Sequence, residues 1–430
     1  MKCLITLFTL FIFQNLIAQN TFHGNIARTG IYEDPGIKQL NGVKWKFKTA
    51  GPIISSPAIA YGLVFVGSAD NNFYAVDTKS GVLKWKFKTS GKINSPPAVE
   101  DSTVYFSSTD GYFYALKAVT GEQVWKFSTG FERHFQAAGL HGLDPRTQII
   151  PDSWDVFNSS PALFNGRVYF GFADGNVYAL DTKAGFIRWK FQTEDVVHAS
   201  PAIADNTVYI GSWDGSFYAL DAETGEQKWR FKGGIDPINY NHIGFQSSAT
   251  VVNGIVYVGC RDAHVYAIYA STGKKKWEYS TKTTWASASP IVKSGIVYIN
   301  ANRLLALDAE TGHLIFTCKE PPVWGISSPI FASDQIFTGG FNGRLYSLNA
   351  KTGEKNWDFK TEGAQNDVLH VLNADGSWSK LAFAETFYDF EDDYIDMYKR
   401  FTAGAILSTP VIQNGEIYFG STDGYLYVLR

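Results

Sequence analysis

A short aromatic segment recurs along this 430-residue chain and restricts its fold more than any other feature. Trp45-Lys46-Phe47 returns as Trp85-Lys86-Phe87, Trp125-Lys126-Phe127, Trp189-Lys190-Phe191 and Trp229-Arg230-Phe231; Trp277 and Trp357 continue the series, and Phe316 takes the place once. Successive spacings are 40, 40, 64, 40, 48, 39 and 41 residues. A second mark follows each segment: Ser56-Pro57, Pro96-Pro97, Ser160-Pro161, Ser200-Pro201, Ser248-Ala249, Ser289-Pro290, Ser328-Pro329 and Thr409-Pro410. Between these marks lie short runs rich in Val, Ile, Tyr and Phe, broken by Asp-Gly or Thr-Gly pairs that suit tight hairpins. Four such runs in about 40 residues are the signature of a propeller blade. One four-stranded sheet cannot bury both faces, so the blades must pack radially. The chain opens on an orphan fourth strand, Val43 to Lys48, and ends on a third strand, Tyr425 to Arg430. Pairing them completes an eighth blade and removes open edges. The expected fold is all-β: an eight-bladed β-propeller of four-stranded antiparallel blades, closed by its N- and C-terminal strands.

Composition agrees and excludes alternatives. Aromatic residues at 16% and 40 glycines fit many short strands joined by turns. A net charge of −3 leaves no basic footprint for nucleic acid. Lys2 followed by a mostly apolar stretch to Ile17, with Ala18 before Gln19, reads as a signal peptide over residues 1–18. The expectation is an exported chain, periplasmic or secreted, with an arm over 19–42 and one propeller over 43–430. No stretch is long enough for a transmembrane segment, and no lipobox Cys suggests a lipid anchor. Cys260 and Cys318 lie in different repeats, and a disulfide between them is not the favoured reading.

The pattern Asp-x-x-Thr-Gly-x-x-x-Trp, as in Asp221 to Trp229, resembles the tryptophan-docking motif of the PQQ-like (quinoprotein-type) propeller superfamily. It recurs from Asp77 onward, with departures at Lys117, Tyr269 and Asn349. The resemblance covers residues 43–430 and implies two precedents: PQQ-dependent alcohol dehydrogenases and BamB-like assembly factors. It also implies that the motif's Trp rings pack against the neighbouring blade, as a flat side chain with one N–H donor suits, and are scaffold.

In a repeat protein, what recurs is scaffold and what occurs once is a candidate for function. Asp70, Asp110, Asp174, Asp214, Asp262 and Asp423 recur after second strands and read as turn formers. Three insertions do not recur: 130–157, 233–245 and 361–405. All three fall between a fourth strand and the next first strand, so alternation of strand direction places them on one face, where function concentrates. The first holds Arg133, His134, His141, Asp144, Arg146, Asp152, Trp154 and Asp155. The second holds Asp236, Tyr240 and His242. The third contains an acidic aromatic run from Tyr388 to Tyr394, either a solvated lid or a partner or cation surface.

The residue three before each Pro mark is Ile54, Asn94, Asn158, His198, Gln246, Ser287, Ile326 and Leu407. Five consecutive polar positions near the channel mouth, with Trp213, Arg261, Trp285 and Trp324 close by, form the candidate ligand-binding set: Asn94, Asn158, His198, Trp213, Gln246, Arg261, Ser287, Trp285 and Trp324. The competing reading is a water-filled channel whose walls are merely solvated. His198 is open between a ligand contact, a proton shuttle and a satisfied inner-strand donor. No His-x-His or paired-Cys cluster supports a metal site, and no catalytic residue is assigned.

The enzyme precedent implies PQQ beside Ca²⁺ held by carboxylate and amide oxygens. The aligned inner ring offers amides, Ser and His but no carboxylate, with Glu194 and Asp195 just outside it. No adjacent Cys pair and no Cys-x-x-Cys-His haem motif occur. The expectation is therefore a non-catalytic propeller, needing no cofactor, that binds a protein partner or a small polar or glycan ligand through its loop-rich face. The alternatives are a PQQ-dependent oxidoreductase acting on alcohols or sugars and an accessory protein of polysaccharide degradation.

Overall fold

In a computed structural model of the chain the β-branched and aromatic runs pair into eight four-stranded antiparallel blades, the seventh extended by a parallel fifth strand, Ile31–Tyr32 of the N-terminal arm. The structure describes residues 21–140, 147–235, 243–282, 285–320, 325–383 and 390–430, the side chains of 390–393 aside; the expected signal peptide lies outside them. The fourth blade shows the plan. Ala202–Ala204 lies innermost, followed outward by Thr207–Gly211, Ser216–Asp221 and Gln227–Lys232. The two middle strands are buried throughout save Asp221, because neighbouring blades cover both faces. Val43–Lys48 pairs antiparallel with Tyr425–Leu429, so the two ends of the chain share the eighth blade as expected.

Each outer strand skips one residue just before its Trp or Phe, as at Ala219/Leu220 opposite Trp229 and Gln227. Such a bulge re-aims the following side chain, here towards the next blade. The Trp189 indole N–H donates to Ala222 O at 3.0 Å, and the ring lies over Gly225, where a Cβ would come within 2.6 Å of it. Trp45, Trp85, Trp125, Trp229 and Trp277 repeat the bond to Thr78, Ala118, Thr182, Ala270 and Ala309. The family's docking role for these rings is thus realised. Trp357 has no such turn ahead of it, and the N-terminal arm supplies the acceptor, Ile37 O, at 2.8 Å.

The Ser-Pro marks form a second belt, nearer the axis. The backbone N–H of Ser160, Ser200, Ser248, Ser289, Ser328 and Thr409 each donates to the hydroxyl of the next blade's mark, ending at Ser56. The turn aspartates do more than cap their turns. Tyr218 donates to Asp214 Oδ2, which also accepts the Glu194 N–H from the preceding interblade loop. The same pairing ties Asp70 to Ala50 and Asp423 to Gly363. Turns after second strands therefore share a face with the interblade loops, and the three insertions rise from it.

Candidate functional site

The first insertion folds back over the channel mouth. Gln136–Ala138 and Ile149–Pro151 pair as a small hairpin, and the returning segment places Asp152, Trp154, Asp155 and Phe157 over the inner strands. Asp155 is buried and holds this turn together: its Oδ2 accepts the Phe135 N–H at 2.8 Å, and its Oδ1 lies 2.6 Å from His198 Nδ1. On the other side of the ring, His198 Nε2 lies 3.2 Å from Glu132 Oε1, which also accepts from Asn158 Nδ2 at 2.9 Å. Desolvation by itself would lower the His198 pKa, but the two carboxylates reverse it and raise it to about 10. His198 is therefore an imidazolium clamped between two acids of the insertion.

A second buried pair anchors the same segment. Arg261 Nη1 lies 2.6 Å from Asp152 Oδ2, and both side chains are fully buried. The guanidinium is sandwiched between Trp213 and Trp285, with its carbon 4.2 and 4.3 Å from the ring centroids. Trp213 in turn packs on Phe135 at 4.8 Å. Arg133 adds a more exposed bond to Asp195 at 2.8 Å. Opposite these ion pairs the contacts are apolar. Trp154 meets Phe341 edge-on at 5.6 Å and clusters with Ile54, Ile326, Leu407 and, from the third insertion, Met397. First and third insertions together make a lid.

Beneath it lies a chamber of about 50 Å³, lined by Asn158, His198, Gln246 and Ser287 on one side and by Ile54, Ile326 and Leu407 on the other. Phe157, residues of the Ser-Pro marks and, from the N-terminal arm, Phe22 complete its walls. Counting back from the Pro mark thus located seven of the eight inner positions. Asn94 is absent from this wall; its amide donates to Val156 O of the lid at 2.9 Å. Trp213 and Arg261 do not face the chamber: they are buried under the lid, and Trp285 packs against Arg261. Trp324 lies outside the described residues, as do His141, Asp144, Arg146, Asp236, Tyr240, His242, Tyr388 and Asp389 of the insertions. Glu132 was the functional neighbour missed. It sits beside Phe131 where the insertion begins, with no local pattern to mark it. Gln246 Nε2, Ser287 Oγ and Asn158 Oδ1 are buried without hydrogen-bond partners and offer the polar side of the chamber to water or a very small ligand.

The chamber wall supplies, among the described residues, amides, hydroxyls and His198 but no carboxylate, which a quinone-bound Ca²⁺ would take as a ligand. Among the described residues, no group of three or more His, Cys, Asp or Glu is placed to hold a metal ion. Cys260 and Cys318 are free and buried. Among the described residues no helix is long and apolar enough to cross a membrane.

Fold and channel define the class, a quinoprotein-like eight-bladed propeller. Within it, the chain belongs to the PQQ-like repeat family described as outer membrane protein assembly factor BamB, whose model matches residues 38–133 and 136–358. BamB from Moraxella catarrhalis is 16% identical over 90% of this chain and 97% of that chain, with a TM-score of 0.64. Quinohemoprotein alcohol dehydrogenase from Comamonas testosteroni is 16% identical over 96% and 80%, at 0.67. A europium-containing methanol dehydrogenase is 13% identical over 96% and 97%, at 0.68. At these identities the likeness is one of fold. No curated protein matches the chain.

Proposed function

We propose that this chain is an exported, non-catalytic scaffold that offers its insertion-bearing face to a protein partner. The observation that carries the reading is the channel, narrowed from both ends. The ion-paired lid covers one mouth, the N-terminal arm enters from the other, and the residual chamber of about 50 Å³ suits a few waters. The face itself is equipped for contact: Phe131, Ile149, Ile235, Val368, Leu381 and Tyr398, spread over the three insertions, are large apolar side chains left exposed. The family description adds a precedent in assembly rather than catalysis. The test is titration of the mature protein with PQQ and Ca²⁺, followed by a dye-linked dehydrogenase assay on alcohols and aldoses. The scaffold reading expects no saturable quinone binding and no turnover; turnover on either substrate class overturns it.

A further inference from the structure

The arm does more than trail from the propeller. Residues 21–32 lie against the inner strands beyond the chamber, away from the insertions, and Arg28 at their centre is fully buried. Its guanidinium has five N–H donors, and all five are used. Nε donates to Pro201 O at 3.0 Å; Nη1 donates to Phe22 O at 2.7 Å and Thr21 Oγ1 at 2.9 Å; Nη2 donates to Ser160 O at 3.1 Å and Pro161 O at 2.9 Å. None of these acceptors is a carboxylate. Three belong to the Ser-Pro marks of the third and fourth blades, where strand geometry turns the carbonyls towards the axis. Burial pulls the group down to about 9, which leaves it charged at neutral pH. The backbone around it adds edges to three blades: Ile203 N–H donates to Ile26 O, Val251 N–H to Ala27 O and Phe331 N–H to Gly30 O, at 2.7, 3.1 and 2.8 Å.

We propose that this crown, three carbonyls of the propeller's marks closed by Phe22 O and Thr21 Oγ1 of the arm itself, is a guanidinium-binding site that forms when the arm docks, and that Arg28 is the pin that holds the arm down as a unit. The planar five-donor fork suits the crown; an ammonium, with three donors on a single point, leaves acceptors unfilled. The proposal stands apart from the partner reading, because the crown lies beyond the chamber from the insertions.

The test uses the full mature chain carrying Arg28→Ala. Amide hydrogen exchange should show protection at Ile203, Val251 and Phe331 falling roughly 100-fold, while Val208 and Tyr218 inside the fourth blade keep theirs. About 10 mM guanidinium chloride should restore protection at those three amides, and equal methylammonium chloride should not. Arg28→Lys, the milder change should Arg28→Ala fail to fold, should show a smaller loss at the same amides. Unchanged protection in either variant means that the arm needs no pin. Loss spread evenly over all blades means that the arm is not a separate unit. Equal rescue by both cations means that there is no guanidinium site. Each of these overturns the proposal.

Discussion

His198 shows how one side chain changes meaning with its neighbours. On an inner strand by itself it has no assignable state; between Asp155 and Glu132 it is a buried cation. Its pKa rises from an ordinary 6.5 to about 10. The ring gains its proton more readily in the folded chain than in the unfolded one. The stability it contributes is therefore fully present below about pH 6.5 and fades as pH rises through 10. At pH 8, ¹⁵N spectra should show both ring nitrogens of His198 protonated. The stability gap between the native chain and His198→Gln should shrink between pH 7 and 10. A neutral ring at pH 8, or a gap that widens with pH, would contradict the clamp.

The lid is an element held by side chains rather than by a core of its own. Its hairpin has only three residues in each strand, too little to stand alone, and the Asp152–Arg261 pair carries it onto the fifth blade. Removing one partner of a buried pair strands the other charge, at a cost of about 3–5 kcal/mol, whereas replacing both by apolar groups is often close to neutral. Arg261→Met should thus be severely destabilising. Asp152→Leu with Arg261→Met should recover most of the loss, read as a double-mutant cycle in urea with exchange at the Phe135 and Asp152 amides. Insertion lengths and the inner ring were legible in the sequence because both are counted against a repeat. The pairings were not, because Asp152 and Arg261 stand 109 positions apart and only blade packing joins them. Trp213 was misplaced for a related reason: a lone Trp in a turn reads equally as a cleft wall or as the floor of a buried cation. The arm was legible only as a tail, since hydrogen bonds to backbone carbonyls leave no pattern in side-chain chemistry.

At the scale of the whole ring, closure depends on belts that repeat at every seam, so an interruption is informative. The Ser-Pro belt fails at the second blade, where Pro96 replaces the mark's serine. Proline has no hydroxyl to accept from Ser56 and no N–H to give to Ser160. Ser160 Oγ is accordingly buried without a partner. The same two seams carry the face-to-face phenylalanine pairs of the ring interior, Phe73 on Phe106 at 4.1 Å and Phe113 on Phe170 at 3.9 Å, which stand in for the missing bonds. Pro96→Ser should complete the belt. An orphaned buried group costs about 1–3 kcal/mol, while losing a proline returns about 0.4–1 kcal/mol of entropy to the unfolded chain. Satisfying the orphaned hydroxyl outweighs the lost rigidity, so the thermal midpoint of the mature protein should rise. Pro96→Ala restores the N–H that reaches Ser160 Oγ but offers the Ser56 N–H no acceptor, so its midpoint should rise by less than that of Pro96→Ser. A fall in both variants would mean that the stacked rings hold these seams at a separation the belt cannot span, and that blade two is fixed by its aromatics alone.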